Sequence, residues 1–350
     1  MPRNPGPSRY QTGWRRWPQA RATDQKQTGR ASQFQMVKSN RVCHTCRRDS
    51  FLAQTLKGRD MTQIIQSLSD ISNRYEALFV DLWGCVHDGI TALPDAVRAL
   101  QTYRAGGGTV ILVTNSPRPR RGVEAQLKGF NVPTDAWDTI ATSGDSARAA
   151  LFHGVVGQRV YFIGLPHDLP FFEPIKVVAD PLEIARVDID TAEGLVCTGP
   201  FDGTADPQTL LPQLRIAKAK GLKLLCANPD IIVDRGDVRE WCAGAVAQLY
   251  QEIGGESLYF GKPHAPIYDL ARQRLLALGK SLPDTAILAI GDGAQTDISG
   301  ARAAGIEALF ITGGLAAKET ETREQPDPKA LQRYLAAQAV APEFSIGFLR

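Results

Sequence analysis

The sequence predicts an α/β protein organised around a doubly wound parallel sheet, and three observations carry that prediction. Short segments that are apolar along their whole length recur through the chain. Helical stretches with recognisable start and stop residues separate them. Polar residues suited to a ligand site stand directly after several apolar segments, where open parallel sheets bind their ligands.

The apolar segments are "ALFVD" (77–81), "TVILVT" (109–114), "VYFIG" (160–164), "GLVCTG" (194–199), "KLLCAN" (223–228), "AILAIGD" (286–292) and "EALFIT" (307–312). A strand with no polar face is covered on both sides, which is the condition of a parallel sheet between helix layers. Between them, "ADPQTLLPQLRIAKAKG" opens on Asp206 as N-cap with Pro207 in the first helical position, and closes on Gly221. In "PHAPIYDLARQRLLALG", Ile267, Leu270, Ala271, Leu275 and Leu278 share one helical face, and Gly279 ends the run.

The 350 residues, 43% hydrophobic and 22% charged, suffice for two packed domains. No apolar run approaches the roughly 20 residues that span a bilayer, so a soluble protein without a membrane role is expected. Residues 1–60 hold thirteen Lys and Arg against three Asp and Glu, which leaves the remainder at net −7. That acidic remainder gives no ground for nucleic-acid binding. Cys197 and Cys226 lie inside apolar runs, the pattern of reduced, buried thiols in a cytoplasmic protein.

Residues 1–60 are poor in aliphatics and show no regular period, so they are read as a disordered basic tail. Their Arg-rich composition only loosely matches a transit peptide, and a native start at Met61 is the preferred reading. Cys43 and Cys46 have zinc-knuckle spacing, yet no second Cys/His pair follows nearby to complete four ligands. They are read as incidental.

At the strand ends stand Asp81, then Thr114 with Asn115, then Asp292, with Asp297 about one helical turn later; Lys262 leads into a helix. Carboxylate oxygens suit Mg²⁺, while a lysine and a hydroxyl neutralise phosphoryl oxygens. Competing phosphate motifs fail. "ALGKSL" has Arg274 where a P-loop needs its first glycine, and "GDGAQT" has Thr296 at the third glycine of a dinucleotide fingerprint.

In order, "FVDLWGCVHDG", "LVTNS", "FGKP" and "IGDGAQTDISGARAAG" resemble the four motifs of the haloacid dehalogenase-like (HAD) hydrolases, over about residues 75–315. The spacing is similar to class IIA, in which a large α/β cap lies between the second and third motifs. "TGPFDG", "CANPD" and "AGAVAQLYQEIGG" are similar to cap segments of that class. The resemblance implies a HAD-like core at 65–145 and 256–342 with a cap at 146–255. It implies Asp81 as the nucleophile, Thr114, Asn115 and Lys262 as phosphate-binding groups, and Asp81, the Trp83 carbonyl, Asp292 and Asp297 around Mg²⁺. Lys262 and Thr114 are expected across a phosphate-sized gap from the carboxylates. A small phosphorylated metabolite is the implied substrate, and a homodimer paired through the cap is the implied assembly.

Trp83 departs from the pattern, because most HAD phosphatases carry there a second aspartate that protonates the leaving oxygen. A positioned acid is worth about 10²- to 10⁴-fold in rate, so either the chemistry is altered or another group serves. His87, Asp88 and His264 are the nearby alternatives, although each reads more simply as a flap or turn residue. Dehalogenases also place an aromatic here, but their caps are typically small, helical and inserted after the first motif. A phosphatase is therefore the leading reading, and a non-catalytic phospholigand-binding protein with the same fold is the alternative. If the tail is dispensable, a chain beginning at Met61 will melt within a few degrees of the full chain in a thermal unfolding scan.

Overall fold

The computed structural model describes residues 62–176, 178–235 and 238–350, so the expectations for the basic tail, the Cys43–Cys46 pair and the Met61 start lie outside the described residues. In chain order the strands are β1 (Gln63–Ile64), β2 (Ala77–Val80), β3 (Thr109–Thr114), β4 (Thr139–Thr142), β5 (Arg159–Ile163), β6 (Ala185–Arg186) and β7 (Gly194–Cys197). Next come β8 (Lys223–Cys226), β9 (Ile232–Arg235), β10 (Val238–Trp241), β11 (Glu256–Tyr259), β12 (Ile287–Gly291), β13 (Glu307–Ile311) and β14 (Phe344–Ile346).

Two parallel sheets result. The larger has the order β1-β14-β13-β12-β2-β3-β4, and the smaller β11-β8-β7-β5-β6. All seven segments read as strands from their apolar runs are strands. Those not anticipated are short or carry polar residues: "TIAT" of β4, "ESLY" of β11, the two- and three-residue edges, and the antiparallel β9–β10 hairpin. This hairpin leaves Ile231, Ile232, Val238 and Trp241 exposed. The observed sheets also move the expected boundaries. β11 pairs with β8, so the smaller sheet runs to Tyr259, four residues past the expected cap limit of 255, and β1 and β14 extend the larger sheet beyond 65 and 342.

Alternation along each strand of the larger sheet feeds two cores. Leu78 and Val80 of β2 point to one face with Leu112, Leu288 and Leu100 of the Pro94–Ala105 helix. Ala77 and Phe79 point to the other, against Ile267, Tyr268 and Leu270 of the Ala265–Ala277 helix. Helices on both faces are what an all-apolar strand requires, and here they are supplied.

The chain order explains the site. β2 leads to β3 and β4 on one side, and the return from the smaller sheet places β12 on the other, so β2 and β12 flank the point where winding reverses. Asp81 and Asp292 directly follow this pair. Leu288 is fully buried at the sheet centre. Leu288→Ala should destabilise the fold by about 2–5 kcal/mol in urea denaturation, through lost burial and the cavity left behind.

Candidate active site

Asp81 follows β2 and keeps its backbone N–H on the Ile290 carbonyl at 2.8 Å, so the strand holds it in register beside β12. The chain then turns tightly over Leu82, whose carbonyl accepts the N–H groups of Val86 and His87 at 2.8 and 3.1 Å. Gly84, at φ +73°, lets this turn close on Asp292: a Cβ there would stand 2.2 Å from the Asp292 Oδ2. Gly314 approaches the same oxygen from the other side, and the Leu315 N–H donates to it at 3.0 Å. The Asp292 carboxylate thus sits in a cradle of backbone that larger residues would fill.

Asp297 lies on a single wide turn, Ala294–Ile298, that carries its side chain back toward β12. Its Oδ2 accepts from the Gly293 N–H at 3.1 Å and the Thr296 hydroxyl at 3.2 Å, while its Oδ1 accepts from Lys262 Nζ at 2.7 Å. Lys262 also donates to Asp81 Oδ1. The lysine therefore contacts these two carboxylates directly rather than facing them across a gap, because a desolvated ammonium gains most from the nearest anions.

Ligand atoms of Asp81, Asp292 and Cys85 all lie within 4.8 Å of one another. Cys85 was not anticipated. Burial and the neighbouring carboxylates hold its thiol well above its ordinary pKa, so it stands there as a neutral group. Burial also raises Asp81 well above the usual carboxylate range, with Asp297 and Asp292 adding to the effect against the pull of Lys262. Asp292 is pushed up to about 7, first by burial and then by Asp297. For Lys262 burial works against the charge, but Asp297 and Asp81 together hold its pKa well above the ordinary lysine value.

Thr114, buried at the end of β3, accepts the Ser116 N–H on its hydroxyl at 3.3 Å. Asn115 makes three hydrogen bonds. Its Oδ1 accepts the Lys262 N–H at 2.7 Å, and its Nδ2 donates to the Lys262 carbonyl at 3.1 Å and to Asp230 Oδ1 at 2.8 Å. Asp230, in the loop after β8 of the smaller sheet, ends the "CANPD" stretch, which the sequence marks only as similar to a cap segment. Nothing in the sequence ties it to a residue 115 positions earlier.

The Trp83 indole packs over Gly89, which has φ +90° and where a Cβ would stand 2.4 Å from the ring, and meets His87 edge-on at 5.5 Å. His87 is buried against Phe130, accepts the Gly89 N–H on Nδ1, and is pushed down to about 4 by burial. It is a neutral packing group. Asp88 is an exposed turn acid that accepts the Ile90 and Thr91 N–H groups, and these bonds hold its carboxyl below the usual range. His264 stacks on Tyr259 at 4.9 Å and precedes the Ala265–Ala277 helix.

A family model described as haloacid dehalogenase-like hydrolase matches residues 78–174, and a HAD-hydrolase-like model matches residues 259–337. A hydrolase of the haloacid dehalogenase-like family from Brucella suis 1330 is 38% identical, with a TM-score of 0.70 over 82% of this chain and 100% of that one. The chain belongs to the haloacid dehalogenase-like hydrolases. Its smaller sheet is inserted between the Thr114 and Lys262 motifs, the arrangement of HAD class IIA. The 5'-nucleotidase YutF of Bacillus subtilis (strain 168) is 23% identical over 259 residues, 73% of this chain and 93% of its own. A p-nitrophenyl phosphatase from Archaeoglobus fulgidus shares the HAD fold at 22% identity, with a TM-score of 0.60 over 78% of this chain and 96% of that one.

Within this HAD centre Lys262 compensates two buried anions, so its removal strands both. Lys262→Met, which keeps most of the apolar stem, should cost about 3–5 kcal/mol in denaturant unfolding at neutral pH.

Proposed function

We propose that the chain is a Mg²⁺-dependent phosphatase that cleaves a small phosphorylated metabolite through an aspartyl-phosphate on Asp81. The observation that carries this is the convergence of Asp81, Asp292 and Lys262 at the switch point between β2 and β12. Among relatives, a 5'-nucleotidase and a p-nitrophenyl phosphatase act on phosphate esters by name, which supports the substrate class.

A divalent cation fits the residues present. Asp81 and Asp292 bring carboxylate oxygens within 4.8 Å of each other, and such hard donors suit Mg²⁺, while Cys85 in the same group is held as a neutral thiol and not a thiolate that would favour a softer ion. Asp81, Asp292 and the Trp83 carbonyl would hold the ion, with Asp297 supporting through Lys262 and the Gly293 turn. Bound there, the ion supplies charge neutralisation for the phosphoryl oxygens.

The remaining chemistry belongs to side chains. Asp81 attacks phosphorus, forming the acyl-phosphate bond as the ester bond breaks, and water then releases phosphate and restores the carboxylate. Lys262 and the Thr114 hydroxyl steady the phosphoryl oxygens, and Lys262 eases the repulsion between substrate and nucleophile. Asn115 fixes the backbone that carries Lys262. The smaller sheet acts as a cap that shields the phosphoryl group from bulk water. Cys85, Cys197, Cys226 and Cys242 are buried thiols, which supports a reducing, cytoplasmic setting.

Trp83 favours a second reading, a phospholigand-binding protein without turnover, because its side chain can neither give nor take the proton of the reaction. A panel of phosphate monoesters with Mg²⁺ separates the two. The phosphatase reading expects phosphate release that stops on chelation, returns with added Mg²⁺, and is abolished in Asp81→Asn. Binding of inorganic phosphate without release of phosphate from any ester would favour the second reading.

A further inference from the structure

The side chain at position 83 cannot supply a proton, and the structure also removes two of its neighbours from consideration. His87 is buried, neutral and occupied by the Gly89 N–H, and Asp88 is an exposed, ionised turn acid. Another carboxyl reaches this region from the smaller sheet. Asp230 Oδ1 lies 2.8 Å from Asn115 Nδ2, one residue from Thr114, and the same amide group holds the backbone of Lys262 on both its N–H and its carbonyl.

The loop that presents Asp230 is fixed from three sides. Its own N–H donates to Asn228 Oδ1 at 3.0 Å, and its carbonyl accepts the Gly244 N–H at 3.1 Å at the start of the Ala243–Glu252 helix. Pro229 packs so closely on Gly261 that a Cβ there would stand 2.6 Å from the proline Cδ. Asp230 is therefore a placed group rather than a loose surface acid. We propose that Asp230 is the catalytic acid and base of this enzyme, replacing from the cap side the proton donor that Trp83 cannot provide.

Resting on the phosphatase reading above, the step balances as follows. Asp81 bonds to phosphorus, the ester P–O bond breaks, and its electron pair takes the Asp230 proton, so the alcohol leaves neutral. The Asp230 carboxylate then takes a proton from water as that water bonds to phosphorus. The Asp81–phosphorus bond breaks, phosphate leaves, and Asp230 is again protonated. Desolvation supports this role by raising the Asp230 carboxyl above its ordinary range, against the Asn115 hydrogen bond and Lys262, which lower it, and together with Asp297.

The experiment uses the full chain with Mg²⁺ and a series of monoesters from p-nitrophenyl phosphate to simple alkyl phosphates. The wild type should show kcat/KM nearly independent of leaving-group pKa. Asp230→Asn, which keeps an oxygen for Asn115, should lower alkyl kcat/KM relative to aryl kcat/KM by about 10²- to 10⁴-fold. With p-nitrophenyl phosphate the same variant should release a burst of about one equivalent of nitrophenolate, because the acyl-phosphate forms without an acid but is hydrolysed slowly without a base. Equal losses on both ester types with no burst would overturn the proposal and leave Asp230 as a tie between cap and core. A steep preference of the wild type for aryl esters would overturn it too, and this arm stands even if the variant does not fold. Release of phosphate from no ester by the wild type would overturn the phosphatase reading itself and this proposal with it.

Discussion

Burying Asp81, Asp292 and Asp297 together around the single ammonium of Lys262 is the constraint that the surrounding fold answers. Like charges out of water repel and each loses hydration, so such a cluster depends on directed partners for its carboxylates. The structure supplies them from Lys262 and from backbone. Leu315 and Gly293 N–H groups take up Asp292 and Asp297, and glycine at positions 84, 291 and 314 lets the main chain come close enough. A side chain at any of the three would collide with a carboxylate, so the glycines serve the charge cluster and not only the turns.

The carboxylates and the lysine were legible in the sequence because each follows an apolar strand or opens a helix, and a parallel sheet sends all such positions to one edge. Asp81 and Asp292 needed only the strand pattern to be read. Other features were hidden for physical reasons. Cys85 enters the cluster through a turn whose closure depends on the φ +73° of Gly84, and apolar periodicity does not report that angle. Asp230 meets Asn115 across the junction of two sheets, a contact with no local signature. β4 and β11 are short edge strands rich in hydroxyl or charged residues, so the apolar-run criterion passed over them although each pairs along its length with its one neighbour.

The turn after β2 divides its labour between main chain and side chains. Leu82 anchors it, Gly84 shapes it toward Asp292, and Trp83 points away from that contact to lie over Gly89 and against His87. Whatever the main chain of residue 83 does for the site, its side chain is spent on packing the flap. Asn115 shows the reverse economy, since one amide secures the lysine-bearing loop and the smaller sheet at once.

The sheet order also bears on how the molecule is made. β2 finds β3 soon after synthesis, but its other neighbour is β12, with Ala77 paired to Ile287 across most of the chain. The smaller sheet, contiguous from Arg159 to Tyr259, is complete on the growing chain before that partner leaves the ribosome. Until then β2 presents an open edge one residue away from Asp81, and the long loop closed by β12 carries an entropic cost that a local pairing such as β2 with β3 does not. The charged centre thus waits for β12, and a truncated chain ending before β12 would carry a finished cap beside an unfinished site.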